Sequence, residues 1–121
     1  MTRFIRSFGF AWRGITCCLP GGTNFKIQLS LGALTFLLGL FFHISTTEWL
    51  VVIFCSILVL SLEMLNTAIE KLCDLVTSDF HPQVMVIKDV AAGAVLVSAA
   101  GSMLAGLFIF LPKIILLIKT F

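Results

Sequence analysis

Three apolar runs dominate the chain after Lys26. The first covers about Ile27 to His43. The second starts near Glu48 and continues to about Leu72 or Val76, and the third covers about Val90 to Leu111. A helix crosses the hydrocarbon core in about 20 predominantly apolar residues. The pattern therefore predicts three transmembrane helices over 27–43, 49–72 and 90–111. The first is near the short limit, and Asn24 to Lys26 extend it. His43-Ile44-Ser45-Thr46-Thr47-Glu48 reads as a short turn, with Trp49 where an interfacial aromatic is expected. Thr77 to Lys88 reads as the second loop, with Asp79-Phe80-His81-Pro82 as its turn signal.

Residues 2–19 follow a different pattern. Phe4, Ile5, Phe8, Trp12, Ile15 and Leu19 share one face of a helix, and Arg3, Arg6 and Arg13 share the opposite one. This predicts an amphipathic helix on the membrane surface, ended by Pro20-Gly21-Gly22.

Composition agrees with a membrane solvent. The 121 residues are 60% hydrophobic and 12% charged, with mean hydropathy +1.14. A soluble domain carries about 25% charged residues, and one this small could not hide so much apolar area. No secretory signal peptide is evident at the N-terminus. The net charge is only +2, but its placement is informative. Arg3, Arg6, Arg13, Lys26, Lys71 and Lys88 share one side of a three-span protein, and Lys113 and Lys119 share the other. The positive-inside rule then predicts a cytoplasmic N-terminus. No basic cluster interleaved with aromatics suggests nucleic acid. Cys17, Cys18, Cys55 and Cys73 form no CxxC pair, which argues against a thiolate metal site or a disulfide framework. Cys55 reads as a small apolar residue.

Against this background the carboxylates stand out. Five of the six lie between Glu63 and Asp89. Glu63, Asn66, Glu70 and Asp74 fall at i, i+3, i+7 and i+11, one narrow stripe of a helix. A solvated helix end accounts for Asp74. It does not account for Glu63, because Trp49 to Leu62 before it carries no charge. Ionisable groups inside spans are costly and mark functional sites. The third span opens with Ala91, Ala92, Gly93 and Ala94 and continues through Ser98, Ala99, Ala100, Gly101 and Ser102. Such small residues allow close approach in lipid, so this helix is expected to pack against the carboxylate face. Acids facing Lys88 near a membrane boundary suit Mg²⁺ held jointly with phosphates. No standard nucleotide-binding motif is present. The residues alone leave three classes open: an enzyme acting on a membrane lipid, an ion-conducting oligomer, or a small structural subunit.

The stretch Glu63-Met-Leu-Asn66-Thr67-Ala68-Ile69-Glu70-Lys-Leu-Cys-Asp74, with Lys88-Asp89 and Ala-Ala-Gly-Ala-Val downstream, resembles the prokaryotic integral-membrane diacylglycerol kinase family, which includes the undecaprenol kinases. Arg3-Phe-Ile-Arg6, Trp12-Arg13-Gly14, Asn24-Phe25-Lys26 and Phe110-Leu111-Pro112-Lys113 extend the resemblance over nearly the whole chain. His81-Pro82, AAGAV and FLPK resemble the undecaprenol-kinase branch more closely.

The resemblance implies a homotrimer of three-span protomers in the bacterial cytoplasmic membrane, with active sites shared between neighbours. It implies transfer of the γ-phosphoryl of MgATP to the hydroxyl of a membrane lipid, diacylglycerol or undecaprenol. By position, Glu63 matches the catalytic base and Glu70 a metal-holding glutamate beside the nucleotide. Lys88 and Asp89 match the ATP-contacting pair, and Asp79, Phe80 and His81 match the loop over the nucleotide. Arg3 matches an arginine near nucleotide and lipid. Asn66 and Asp74 match polar positions supporting the site, Asn66 on the lipid-substrate side. Two departures are visible. Gly22 stands where the family usually has a second metal-binding glutamate. Phe10 stands on the nucleotide side where some relatives have a tyrosine. The rival expectation is a non-catalytic or ion-conducting descendant of the same family.

Overall fold

The computed structural model describes residues 1–121, the surroundings of residues 21 and 23 excepted. The described residues form four helices and no strand: α1 Thr2–Gly21, α2 Thr23–Phe41, α3 Thr46–Val76 and α4 Pro82–Lys119. α2, α3 and α4 are each long and apolar enough to cross a membrane. The chain is therefore an all-α, multi-pass membrane protein with an additional N-terminal helix. Its large apolar side chains point mostly outward, from Leu37 and Phe54 to Val97 and Phe108, as a lipid solvent allows.

The helix limits differ from the sequence expectation at the prolines. α1 runs through Pro20, and Gly22 alone, at φ −125° and ψ 103°, separates it from α2. α4 begins at Pro82 rather than near Val90, because a proline at the first helical position forfeits no hydrogen bond. His81 caps this end, its Nδ1 accepting from the Gln83 N–H at 3.2 Å. At the other end α4 continues through Pro112 to Lys119 instead of stopping at Leu111. A proline inside a spanning helix is tolerated where its surroundings re-satisfy the backbone. α2 stops at Phe41, and His43 turns the chain with φ 49°. The start of α3 is a capping box, Ser45 accepting from the Glu48 N–H while the Glu48 carboxylate accepts from the Ser45 N–H. That Ser-x-x-Glu signal was present in the sequence.

α3 is the central helix, with α4, α2 and α1 all packed against it. Two ion pairs mark the register of α3 against α4. Asp74 meets Lys88 at 2.7 Å and Glu48 meets Lys113 at 2.9 Å. These anchors lie 26 positions apart on α3 and 25 on α4, so the helices run antiparallel and level over the whole contact. Both present seams spaced alternately four and three residues apart. On α3 the seam is Val52, Ser56, Val59, Glu63, Asn66, Glu70 and Cys73. On α4 it is Ala91, Val95, Ser98, Ser102, Ala105 and Ile109. Most of these residues are buried. This is the spacing of coiled-coil packing. The small-residue half of α4 lies against the carboxylate stripe, as the pattern requires.

α2 lies antiparallel to α3 on a neighbouring face. A Cβ on Gly32 would lie 3.9 Å from Ser56 Oγ, and one on Gly39 only 2.7 Å from the Trp49 ring. The largest apolar cluster is at this Trp49 end, where Ile44, Val52, Ile109 and Phe110 pack with Leu38, Phe42, Trp49 and Ile114. The opposite end, beside α1, carries the acids.

Candidate active site

The α3–α4 seam changes character along its length. Toward Trp49 it is filled by Val52, Val59 and Ile109. Toward α1 it carries Glu63 and Asn66, exposed by only 4% and 6%. The register places Glu63 level with Ser98, and Asn66 level with Val95. A small residue opposite Glu63 leaves space that a leucine would close.

Among the described residues no hydrogen-bond donor reaches the Glu63 carboxylate. Thr67 Oγ1 donates to the Glu63 backbone carbonyl at 3.0 Å instead. One turn on, Asn66 Nδ2 donates to Glu70 Oε1 at 3.3 Å, while Asn66 Oδ1 is buried with no partner. Glu70 itself is exposed, at the point where the seam opens. A further turn on, Asp74 holds Lys88. The arrangement therefore runs from an unpaired buried acid, through an amide–carboxylate pair, to an exposed acid–ammonium pair. Buried polar groups without partners carry a free-energy penalty, so each calls for an explanation such as a catalytic role or a bound water or ion.

The other residues expected at the site are distributed as follows. Lys88 and Asp89 lie in the second turn of α4, not in a loop. Asp79 is exposed in the α3–α4 connection, its N–H donating to Thr77 Oγ1 at 3.1 Å. Phe80 is 75% exposed. His81 serves as the helix cap described above. Arg3 and Phe10 lie in the exposed half of α1, where, among the described residues, no hydrogen bond or ion pair joins Arg3 to the acids. The Phe10 ring lies 5.9 Å from the Arg13 guanidinium. α1 meets α3 on a different face, where Lys71 Nζ donates to Cys17 Sγ at 3.3 Å. The chain thus brings together Glu63, Asn66, Glu70, Asp74 and Lys88, and leaves Arg3 and Phe10 apart from them. The sequence places Lys88 opposite the acids as a group; that Asp74 is the one that holds it depends on where α4 begins.

The described residues contain no group of three or more His, Cys, Asp or Glu side chains placed to hold a metal ion. Gly22 lies within reach of Cys18 and Phe25: a Cβ there would sit 3.5 Å from the Cys18 carbonyl and 3.4 Å from the Phe25 Cβ. Its extended backbone accepts any residue, so geometry does not require glycine at this position.

Residues 9–110 match the family model for prokaryotic diacylglycerol kinase. The chain is 40% identical over 114 residues to the undecaprenol kinase of Bacillus subtilis, covering 94% of this chain and 93% of that one. It is 34% identical over 110 residues to a diacylglycerol kinase of Synechocystis, covering 90% of this chain and 63% of the relative. With the Escherichia coli K12 diacylglycerol kinase it shares 26% identity over 97 residues, 80% of each chain. With both the seam of acids and a match this extensive, the chain belongs to the prokaryotic diacylglycerol kinase family.

Proposed function

We propose that this protein transfers the γ-phosphoryl group of MgATP to the hydroxyl of a membrane lipid alcohol, at the cytoplasmic face of a bacterial membrane. The observation that carries the reading is Glu63: an ionisable side chain, 4% exposed, with no donor at its carboxylate, at the boundary between an apolar seam and an acid–ammonium cluster. Ionisable groups buried in spans are costly and mark functional sites by default.

In this reading Glu63 accepts the proton of the lipid hydroxyl as that oxygen attacks the γ-phosphorus and the bond from the γ-phosphorus to the bridging oxygen breaks, releasing ADP. Asn66 lies one turn away, and the second hydrogen of its Nδ2 can donate to the hydroxyl oxygen, which leaves the hydroxyl proton to Glu63. Its Nδ2 fixes the carboxylate of Glu70. Lys88 faces the phosphates as a point charge, held in place by Asp74 until nucleotide arrives. Asp89, Asp79, Phe80 and His81 flank the nucleotide at the same end. A magnesium ion held beside the nucleotide would supply neutralisation of phosphate charge. The donor set fits such an ion, since Mg²⁺ uses one or two protein carboxylates together with phosphate oxygens and water. Glu70, exposed and oriented by Asn66, is the carboxylate that would hold it.

Arg3 and Phe10 complete the site only if another protomer supplies them or α1 moves. This supports a homotrimer with sites shared between neighbours. The cluster of Arg3, Arg6, Arg13, Lys26, Lys71 and Lys88 at the α1 end supports a cytoplasmic N-terminus.

The test is direct. Purified protein in mixed micelles, supplied with MgATP and either diacylglycerol or undecaprenol, forms the phosphorylated lipid. Transfer to neither alcohol by an intact oligomer removes the proposal. It would favour the second reading, a non-catalytic relative, for which Gly22 in place of a carboxylate is the supporting observation.

A further inference from the structure

α1 and α3 leave a cleft of about 580 Å³ between them. Its α3 wall runs from Lys71 through Leu65 and Met64 to Ser61, and its α1 wall carries Gly14 and Cys17. Met64 and Lys71 each follow an acid, Glu63 and Glu70, by one position. This wall is therefore turned about 100° from the acid stripe. The cleft is separate from the candidate active site, although the same turns of α3 build both.

The two ends of the cleft differ in chemistry. At one end Lys71 Nζ meets Cys17 Sγ at 3.3 Å. Lys88 and Lys113 each hold a carboxylate. Among the described residues no carboxylate pairs with Lys71, whose ammonium has three donors. Arg13 precedes Cys17 by four positions and adds a second cation on the same face of α1, next to Gly14. At the other end, about 15 Å along α3, Ser61 lies within the apolar run of the second span. Leu65, between the ends, is 57% exposed, so the chain itself leaves this wall open.

A ligand that satisfies both ends carries an anion at the height of the headgroups and a hydrocarbon chain directed toward the bilayer centre. We propose that the cleft binds one anionic phospholipid of the leaflet at the α1 end. Its phosphate lies between Lys71 and Arg13, and the start of one acyl chain runs along Leu65, Met64 and Ser61. Charge complementarity selects this occupant. A zwitterionic lipid brings its own cation to the same mouth, and an apolar helix of a second copy leaves both cations unanswered. Basic pockets between membrane helices bind anionic headgroups on this principle. A lipid held there bridges α1 to α3. The site is independent of phosphoryl transfer, since neither Lys71 nor Arg13 belongs to the acids or the nucleotide loop.

The probe is dioleoylphosphatidylglycerol, added to the protein in a neutral detergent and read by native mass spectrometry and thermal unfolding. One molecule is retained per chain and the melting temperature rises. Dioleoylphosphatidylcholine at the same mole fraction does neither, and inorganic phosphate alone does not raise the melting temperature. Lys71→Gln and Arg13→Gln each weaken retention about fivefold, the contribution of one basic residue at a membrane surface. Lys26→Gln removes the same charge from the same side but outside the cleft, and leaves retention unchanged. Ser61→Phe fills the apolar end and lowers retention with both cations in place. Equal retention of the two phospholipids overturns the proposal. So do equal losses in Lys26→Gln and Lys71→Gln, full retention in Ser61→Phe, or a melting shift produced by inorganic phosphate.

A second measurement needs neither a variant nor turnover. Cys17 is exposed at the mouth of the cleft, whereas Cys18 and Cys73 are buried. Phosphatidylglycerol slows alkylation of Cys17 by a water-soluble maleimide, located by peptide mass mapping, and phosphatidylcholine does not. Absence of this protection overturns the assignment whether or not phosphate is transferred to a lipid.

Discussion

Asp74 Oδ1 and Lys88 Nζ lie 2.7 Å apart and join the last turns of α3 to the second turn of α4. The two side chains are 67% and 38% exposed, so their pairing contributes little to stability, on the order of 0 to 1 kcal/mol. Its consequence is positional: it fixes an ammonium beside the stripe of acids. Lys88→Met is expected to raise the KM for MgATP by about tenfold or more, the scale of a lost charge-assisted contact. Its thermal midpoint should stay close to that of the unaltered protein. Asp74→Asn should give a smaller rise in the same KM, and Asp74→Glu should restore much of it. A large fall in the melting temperature of Lys88→Met, with the KM unaltered, would make the pair structural.

Glu63→Gln preserves size and packing but removes the proton-accepting oxygen. Turnover is expected to fall about 10²-fold or more if general-base work is lost. The KM for MgATP should change little, since Glu63 lies on the lipid side of the cluster. Initial rates at saturating nucleotide check this, and unchanged turnover excludes Glu63 as the base.

Gly39 and Trp49 give a prediction about stability alone. A Cβ at residue 39 would lie 2.7 Å from the indole, and the indole packs in the apolar cluster at that end. Gly39→Ala must displace it. The expected loss is about 1 to 3 kcal/mol, the usual range for overpacking. Thermal unfolding in detergent measures it. Gly101→Ala, where a Cβ meets nothing within 4 Å, serves as the comparison and should not destabilise.

Gly22 gives a prediction about magnesium. Its φ of −125° is open to any side chain, so Gly22→Glu should fold. With a second carboxylate supplied, the Mg²⁺ concentration for half-maximal rate is expected to fall. A titration at fixed ATP tests it, and an unchanged or higher requirement would mean that residue 22 does not face the metal.

Much of this protein was legible from local pattern. The three spans, the amphipathic N-terminal helix and the stripe Glu63, Asn66, Glu70 and Asp74 follow from hydropathy and helical periodicity. Lipid imposes length and polarity on each helix separately, and the motif around Glu63 carried the family. The helix limits at Pro20, Pro82 and Pro112 were less legible. Proline's effect depends on whether its missing N–H and fixed φ fall where the helix can accept them.

Only the tertiary structure decided how the helices meet. The sequence determined that Glu63 faces the same way as Val59 and Ser56. Which residues oppose them depends on the register marked by Glu48 with Lys113 and Asp74 with Lys88. That register brings Ser98 level with Glu63 and Val95 level with Asn66, while the separate docking of α1 leaves Arg3 and Phe10 apart from the acids. Periodicity is a property of one helix, whereas a site between helices depends on their relative sliding and rotation. Those are fixed by a few distant contacts that no single segment contains.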